Sequence, residues 1–357
     1  MNKKIISFPH MGDYSYFIKP FLESITNTEV KVAPPITKKT IELGSKYSPD
    51  TVCLPFKYNL GNYIEVLEKG ATTLFQFGGG CRYGNYAPLQ ETILKDLGYD
   101  FELYEFIKNG KTSFKHIYKT LKKLNPKITR FFLLNEIFIV MLKIMLFDKS
   151  DHYVRKKVPV DKNNFTKIRY KFINDLKDKR NLFSIFYIYF KYMKKYRKVR
   201  CKKPILKIGI IGELYTSMEP FSTFNLEEEL KKLDISIKRY TNVSYLLIYK
   251  QLFRTFIRYK SHPYIKYSLG ADATYNIFRT LKLSKKRYDG IIHTKPFGCT
   301  PEVGIMPILS KISNDKNIPI MFLSFDTETS GEGIKTRIEA FVDMLKMRKD
   351  NDNKNEK

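Results

Sequence analysis

The sequence predicts an α/β protein with two doubly wound parallel sheets and a basic α-helical insertion between them. Short apolar strands alternate with amphipathic helices in residues 1–108, this alternation stops in residues 109–203, and it resumes in residues 204–347. Strands that are joined by helices pair in parallel, and helices then cover both faces of the sheet. Residues 348–357 form a polar tail that we expect to fray.

The first half contains five predicted strands and four predicted helices. The strands are Lys4–Phe8, Glu29–Ala33, Thr51–Leu54, Thr72–Phe77 and Phe101–Tyr104. The helices, which carry apolar residues at helical spacing, are Tyr16–Ile25, Thr37–Lys46, Tyr58–Glu68 and Tyr86–Leu97. Gly70 and Gly98 lie where helix C-caps are expected, because glycine adopts the left-handed conformation that ends many helices.

The insertion and the second half are predicted in the same way. From Ser113 to Val199 apolar residues recur at helical spacing in Ile128–Phe147 and Leu182–Met193, with a polar stretch, Asp161–Arg180, between them. The strands of the second half are Ile205–Ile211, Ile235–Tyr240, Gly290–His293 and Ile318–Ser324. Its helices are Phe224–Leu233, Tyr245–Tyr259, Ala273–Leu283, Ile305–Ile312 and Ile334–Met347. The two α/β halves therefore look like copies of one architecture.

Composition argues against several classes of protein. The apolar run Ile5–Phe8 is too short for the core of an export signal, and Phe131–Phe147 contains two charged residues and falls short of a membrane span. Four cysteines in 357 residues do not form a disulfide scaffold. We expect a cytoplasmic protein whose cysteines are reduced.

Three of the four cysteines are predicted to follow strands. Cys53 ends the third predicted strand, Cys81 follows the fourth, and Cys299 follows the third strand of the second half. Carboxyl ends of strands border the crevice in which open α/β sheets bind ligands, and the glycines beside Cys81 and Cys299 let backbone approach a bulky group. Three thiolates would suit an iron–sulfur cluster, or a zinc ion with a fourth ligand. Buried cysteines also serve as small apolar residues, so spacing alone leaves these alternatives open.

Other motifs are weaker. Cys201 lies among basic residues, which predicts an incidental thiol whose pKa its cationic neighbours lower. The polar loop in Ser324–Gly333 is predicted to occupy, in the second half, the position that Cys81 occupies in the first, and is either an anion cradle or an ordinary capped turn. Gly209–Glu213 lacks the third glycine of a dinucleotide-binding fingerprint.

Several motifs together resemble one family. They are Ser48–Lys57 around Cys53, Asn59–Asn62, Gly79–Gly84 around Cys81, Gly209–Pro220, Gly298–Glu302 around Cys299, and Asp326–Asp343. This combination resembles the 2-hydroxyacyl-CoA dehydratase and benzoyl-CoA reductase component superfamily, and within it the branch of the CoA protein activases and activase-related proteins. The resemblance covers residues 1–105 and 204–345, and the basic insertion carries little of it.

The resemblance implies two flavodoxin-like domains that face each other and hold an iron–sulfur cluster, such as [4Fe–4S]. Cys53, Cys81 and Cys299 match the cluster cysteines, and Gly80, Arg82 and Gly298 would adjoin the cofactor. It further implies that an ATP-hydrolysing activase with a sugar-kinase-like fold delivers low-potential electrons, which pass to an acyl-CoA or a second α/β subunit. Only three cysteines match, so the fourth iron site would be open or held by another group.

The sequence contains neither a Gly-x-x-x-x-Gly-Lys-Ser/Thr motif nor paired Asp-Gly-Gly phosphate loops, so we expect no ATPase activity from the chain alone. Lys57 and Lys295, near Cys53 and Cys299, are further candidates for tuning a cluster, with surface charge as the alternative. The main alternative function is a non-catalytic, cluster-carrying or scaffold protein.

Charge raises a third hypothesis, nucleic-acid binding. The formal net charge is +28, and residues 101–200 contain 26 Lys or Arg against 8 Asp or Glu. Tyrosines are mixed with these cations, but tyrosines at helical spacing are typical of packing rather than base stacking. The charge is better suited to an acidic partner protein or to the phosphates of CoA.

Overall fold

The computed structural model describes residues 4–78, 85–108 and 111–355. The chain folds into two compact units, Met1–Ile144 with Asp175–Ile185, and Met145–Asn174 with Phe186–Lys357. Each unit contains a four-stranded parallel sheet flanked by helices. The structure thus confirms the predicted fold class, two flavodoxin-like parallel-sheet domains.

The sheet of the first unit has the strand order β2-β1-β3-β4. Its strands are β1 (Ile5–Phe8), β2 (Glu29–Val32), β3 (Thr73–Gln76) and β4 (Glu102–Glu105). The helices are α1 (Ser15–Thr26), α2 (Lys38–Tyr47), α3 (Leu54–Glu68) and α4 (Tyr86–Asp96). β3 is buried along its whole length, as expected for a parallel strand with both faces covered. Gly70 and Gly98 have φ of 85°, which confirms them as glycines at helix ends.

The segment that follows is helical, as predicted, and its polar stretch is a helix too. The helices are α5 (Phe114–Leu124), α6 (Arg130–Arg155), α7 (Lys162–Lys177) and α8 (Leu182–Lys198). Two short antiparallel pairs flank them: β5 (Ile107–Lys108) with β6 (Lys111–Thr112), and β7 (Val158–Pro159) with β8 (Cys201–Lys202). In the described part of the chain, no helix has the length and apolar character needed to cross a membrane.

The sheet of the second unit has the order β10-β9-β11-β12. Its strands are β9 (Lys207–Gly212), β10 (Ser236–Arg239), β11 (Gly290–Pro296) and β12 (Ile320–Phe325). The helices are α9 (Leu214–Met218), α10 (Leu226–Lys232), α11 (Lys250–Leu252), α12 (Arg254–Ser261), α13 (Ala273–Lys285), α14 (Thr300–Asp315) and α15 (Gly331–Asn355). A 3₁₀ turn, Pro220–Thr223, and a π-helical turn, Tyr245–Tyr249, complete the unit.

The two sheets share one strand order, in which β9, β10, β11 and β12 correspond to β1, β2, β3 and β4. Cys81 follows β3 in the sequence, so its counterpart in the second unit is the loop after β11, which contains Cys299. The predicted equivalence of Cys81 with the loop in Ser324–Gly333 is therefore wrong, because that loop follows β12. The misreading came from counting Thr51–Leu54 as a strand.

Thr51–Leu54 is not a strand. Thr51 and Val52 lie in a turn, Cys53 is the N-cap residue of α3, and the helix begins at Leu54 with Pro55 in its first turn. A short apolar run cannot distinguish a strand from the start of a buried helix, whereas a proline in the first helical turn favours the helix. Cys53 therefore begins a helix rather than ending a strand.

Two further differences concern helices of the second unit. The predicted helix Tyr245–Tyr259 is divided into the π-helical turn, α11 and α12. The predicted tail 348–357 continues α15 as far as Asn355. Two hydrogen bonds hold the start of this extension against the rest of the unit. Arg348 donates to the carbonyl oxygen of Asn317 at 2.7 Å, and Lys349 donates to that of Ile205 at 2.9 Å.

Helices α2 and α3 pack so closely that Gly44 admits no side chain. A Cβ at Gly44 would lie 1.8 Å from the carbonyl oxygen of Lys57 on α3. We expect Gly44→Ala to lower the free energy of unfolding by about 1–3 kcal/mol, the usual cost of overpacking, as measured by urea denaturation. Gly333→Ala in α15 is the matched control, because the nearest atom to a Cβ there lies at 3.9 Å. Equal stability of the two variants would contradict this account of the α2–α3 contact.

Candidate functional site

Cys53 begins the long buried helix of the first unit. It is partly buried, and the hydroxyl of Tyr86 donates a hydrogen bond to its Sγ at 3.8 Å. The ring of Tyr86 is fixed by an edge-to-face contact with Phe56, with the ring centres 4.7 Å apart. The N-terminus of a helix carries the positive end of the helix dipole, which favours negative charge near Cys53.

Asn62, also on α3, connects this helix to the carboxyl ends of two strands. Its Oδ1 accepts from the backbone N–H of His10, after β1, at 2.9 Å. Its Nδ2 donates to the carbonyl of Pro34, after β2, at 3.1 Å, and to the carboxylate of Glu65 at 3.2 Å. Asn62 is fully buried, so these bonds fix the loops at the crevice edge of the first sheet.

Cys299 is the N-cap residue of α14 in the second unit, directly after β11, as predicted. It is partly buried, its carbonyl accepts the first helical bond from Val303 at 2.9 Å, and a proline follows in the first turn. Lys295, at the end of β11, is buried with 3% of its surface exposed. Burial lowers the pKa of Lys295, and the negative charges of Cys299 and Glu302 act in the opposite direction. An ammonium group therefore lies within electrostatic range of the Cys299 sulfur.

A buried polar network lies behind Cys299. Glu302, in the first turn of α14, is fully buried and accepts from His293 Nε2 at 2.7 Å and from Asn276 Nδ2 at 2.9 and 3.0 Å. Asn276, on α13, also accepts from the backbone N–H of Gly212 at 3.3 Å and donates to the carbonyl of Gly212 at 3.2 Å. The network thus joins α14, β11, α13 and the end of β9, and it fixes the helix start that carries Cys299.

The end of β9 carries a carboxyl group with an altered pKa. Gly212 has φ of 144°, and a Cβ there would lie 1.9 Å from the carbonyl oxygen of Thr294, so only glycine fits. Glu213 follows as the N-cap residue of α9 and accepts from the backbone N–H groups of Tyr215 and Thr216 at 2.9 and 2.8 Å. Burial, with a smaller contribution from Asp272, raises the pKa of Glu213 to about 7 despite these bonds.

The structure describes the predicted site residues only in part. Gly80, Cys81 and Arg82 lie outside the described residues, while Gly298 is exposed in the turn before Cys299. Lys57 is half-buried on α3. Within residues 4–78, 85–108 and 111–355, no three His, Cys, Asp or Glu side chains form a group that could hold a metal ion. Cys81 is not among those residues, so the predicted ligand set is described at Cys53 and Cys299 alone.

Cys201 differs from the other two described cysteines. It lies exposed in β8, and its Sγ is 3.4 Å from the carbonyl oxygen of Val199. Desolvation raises the pKa of the Cys201 thiol, and the charge of Lys157 only partly opposes this. The predicted lowering of this pKa is therefore wrong, because the basic neighbours in the sequence do not outweigh partial burial.

The loop between β12 and α15 satisfies its own polar groups. The carboxylate of Asp326 accepts from the backbone N–H of Glu328 at 3.0 Å and from the hydroxyl of Thr329 at 2.8 Å. The same hydroxyl oxygen accepts from the backbone N–H of Asp326 at 2.9 Å. Of the two alternatives for this loop, the geometry favours the ordinary capped turn over an anion cradle.

Fold and site together define a class: an α/β protein with two flavodoxin-like sheets in which cysteines begin helices at the crevice edge. Residues 277–345 match the family model described as 2-hydroxyglutaryl-CoA dehydratase, D-component. The matched segment contains His293, Lys295, Cys299 and Glu302. The similarity over these residues supports the 2-hydroxyacyl-CoA dehydratase superfamily and a dehydratase-type component. No curated protein matches the chain.

Sequence reasoning missed Glu213, Glu302, His293 and Asn276. Glu213 directly follows a strand, which is the same signal that singled out the cysteines. Glu302 lies three residues after Cys299, at a spacing that places both at one helix start. His293 and Asn276 had no such signal, because a lone polar residue in a strand or helix shows its partner only once the chain has folded.

Proposed function

We propose that this chain is an iron–sulfur protein of the 2-hydroxyacyl-CoA dehydratase type, with Cys53, Cys81 and Cys299 as cluster ligands. An ATP-dependent activase would supply low-potential electrons, which the chain passes to an acyl-CoA or a partner subunit. The observation that carries the proposal is the position of Cys299: it begins a helix at the end of a central strand, near a buried lysine, within the segment that matches the dehydratase component.

The described residues are suited to an anionic group that is held by thiolates. Helix N-termini at Cys53 and Cys299 offer positive dipole ends, and Lys295 adds a buried cation beside Cys299. A bound cluster would supply one-electron chemistry at a potential set by such neighbouring charges and N–H groups. The role of Glu302 and Asn276 is to hold the start of α14 in place, and the role of Lys295 is to compensate negative charge.

Metal content is the first test. Protein prepared without oxygen should be brown, contain iron and acid-labile sulfide, and lose its colour in air, because a cluster with three cysteine ligands is open to oxidants. The measurement is iron and sulfide per chain, with EPR spectra before and after dithionite. Colourless protein with stoichiometric zinc, or without iron and sulfide after anaerobic reconstitution, would contradict the proposal.

Partnership is the second test. The chain alone should show no ATP turnover, and its reduction by a cognate activase should require ATP, as followed by the change in visible absorbance. ATPase activity of the isolated chain, or equally fast reduction without nucleotide, would overturn this division of roles. A chain that binds a cluster but neither takes electrons from an activase nor supports acyl-CoA turnover would instead be a cluster-carrying scaffold.

A further inference from the structure

The second unit contains a cluster of cations at the edge of its sheet, away from Cys299. β10 is one of the two edge strands of this sheet, and α6 and α13 also contribute residues to the cluster. The cluster, called here the basic cluster, consists of His152, Lys156, Lys238, Arg279, Lys282 and Lys286. Arg279 and Lys282 on α13 and Lys286, its C-cap residue, are three and four residues apart, so they follow one side of this helix.

Tyr240 lies at the centre of the basic cluster. Arg279, Lys238 and Lys282 have their charged groups 4.2, 4.6 and 5.9 Å from the centre of this one ring. The distance between any two of these charged groups therefore cannot exceed the sum of their two distances from the ring centre. The ammonium of Lys238 also lies 2.9 Å from Nδ1 of His152, which brings α6 to the same point.

Electrostatics shows that these cations act on each other. Burial, with smaller contributions from Lys286, Arg279 and Lys282, lowers the pKa of Lys238 to about 7. The pKa of Lys282 is lowered by burial, Arg279 and Lys286, and that of Lys156 by burial, Lys286 and Lys157. Every charged neighbour that shifts these three lysines is itself a cation. These cations therefore disfavour each other's charged forms, and a bound anion would favour them.

The floor of the basic cluster is the buried guanidinium of Arg279. Arg279 is 3% exposed, and its guanidinium lies among the rings of Tyr240, Tyr245, Tyr249 and Tyr275 at 4.2–5.1 Å. Its Nη2 donates to the hydroxyl of Tyr275 and the guanidinium also hydrogen-bonds to Tyr240, whereas its buried Nε has no hydrogen-bond partner. Buried donors are normally satisfied, so this Nε is a donor that a ligand oxygen would satisfy.

Other buried arginines of the same unit are paired. Arg155 contacts Asp151 and Glu227, each at 2.6 Å, and Arg239 contacts Glu227 at 2.7 Å. In the part of the chain that the structure describes, by contrast, Lys238, Arg279, Lys282 and Lys286 form no ion pair with a carboxylate. The fold therefore neutralises one set of buried cations internally and leaves the basic cluster without an internal anion.

We propose that the basic cluster binds the phosphoryl group of a small molecule. A phosphoryl group offers several acceptor oxygens and up to two negative charges, which suits an arginine fork at the floor and lysines on two other sides. Lys238 and Lys282 are half-buried and Lys156 and Lys286 are exposed, so the lysines of the basic cluster extend from the buried Arg279 to the surface. Nucleic acid suits the site less well, because the cations converge on one ring instead of following a strand.

The test uses the full-length chain with pyrophosphate, inorganic phosphate and sulfate as probes, titrated by calorimetry at constant ionic strength. We expect saturable binding of pyrophosphate at millimolar concentration or below. The double variant Lys238→Gln, Lys282→Gln should weaken it at least about tenfold, since each charge-assisted hydrogen bond contributes that much. The matched control is Lys285→Gln, Lys311→Gln, which removes the same charge at two exposed lysines outside the cluster and should bind as the wild type does.

Arg279→Lys keeps the positive charge but removes the two-pronged guanidinium, so it should weaken the binding of pyrophosphate more than that of sulfate. Circular dichroism and the melting temperature check that this variant is folded. Adenosine diphosphate distinguishes the source of the phosphoryl group: tighter binding than pyrophosphate identifies a larger phosphorylated ligand, and equal binding a free anion. Absence of saturable binding, equal weakening in the control variant, or RNA binding that depends on Lys238 and that pyrophosphate does not displace would each overturn the proposal.

Discussion

Replacing Cys299 by serine is expected to remove most of the bound iron from protein that is prepared without oxygen. Ligand thiolates contribute most of the affinity for a cluster, so the loss should exceed the roughly tenfold effect of removing an outer-shell partner. Cys53→Ser and Cys81→Ser should lower iron content or change the EPR spectrum in the same direction. The measurement is iron per folded chain, with the EPR spectrum of the reduced sample.

Cys201→Ser is the matched control, since it makes the same atomic change at an exposed cysteine in a short edge pair. We expect it to leave iron content and spectrum unchanged. Each variant must be compared as folded protein, because loss of a metal centre also lowers stability. An intact cluster in the other three variants, or its loss in Cys201→Ser alone, would show that the ligand assignment is wrong.

Most of the fold could be predicted because its strands and helices have distinct periodicities. The predicted strand Glu29–Ala33 and the observed β2 differ by one residue, and the predicted helix Ala273–Leu283 ends two residues before α13 does. The prediction of a strand at Thr51–Leu54 is wrong because its three consecutive apolar residues carry no period, and a proline such as Pro55 follows many strands as well as marking helix starts. Whether Cys53 ends a strand or begins a helix is decided by packing, which a short sequence pattern does not show.

A functional residue could be predicted where its signal lies within one short stretch of sequence. It could not be predicted where the residues of a site come from distant parts of the chain. Cys299 could be placed because the strand, the glycine and the cysteine lie within ten residues, Gly290 to Cys299, of the sequence. The basic cluster could not, since His152, Lys238 and Arg279 are far apart in a chain with 64 Lys and Arg. In so basic a sequence a convergence of lysines has no local signature, and only the fold distinguishes the unpaired cations at Tyr240 from the paired ones at Glu227.

Replacing Glu302 by leucine should cause the largest loss of stability among the substitutions considered. The carboxylate is fully buried, and its removal would leave His293 Nε2 buried without its acceptor and Asn276 Nδ2 with the carbonyl of Gly212 alone. Breaking a buried, charge-assisted network of this kind costs about 3–5 kcal/mol of unfolding free energy. Urea denaturation of the metal-free protein measures this loss independently of any cluster.

Glu302→Gln tests the same network with less disturbance, because the amide keeps one acceptor oxygen and nearly the same volume. It should lose less stability than the leucine variant, since either His293 or Asn276 retains a partner. Glu339→Gln, an exposed position on α15, makes the same chemical change and should stay within about 0.5 kcal/mol of the wild type. If Glu302→Leu were as stable as Glu339→Gln, the network would not be what fixes the start of α14, and the position of Cys299 would need another explanation.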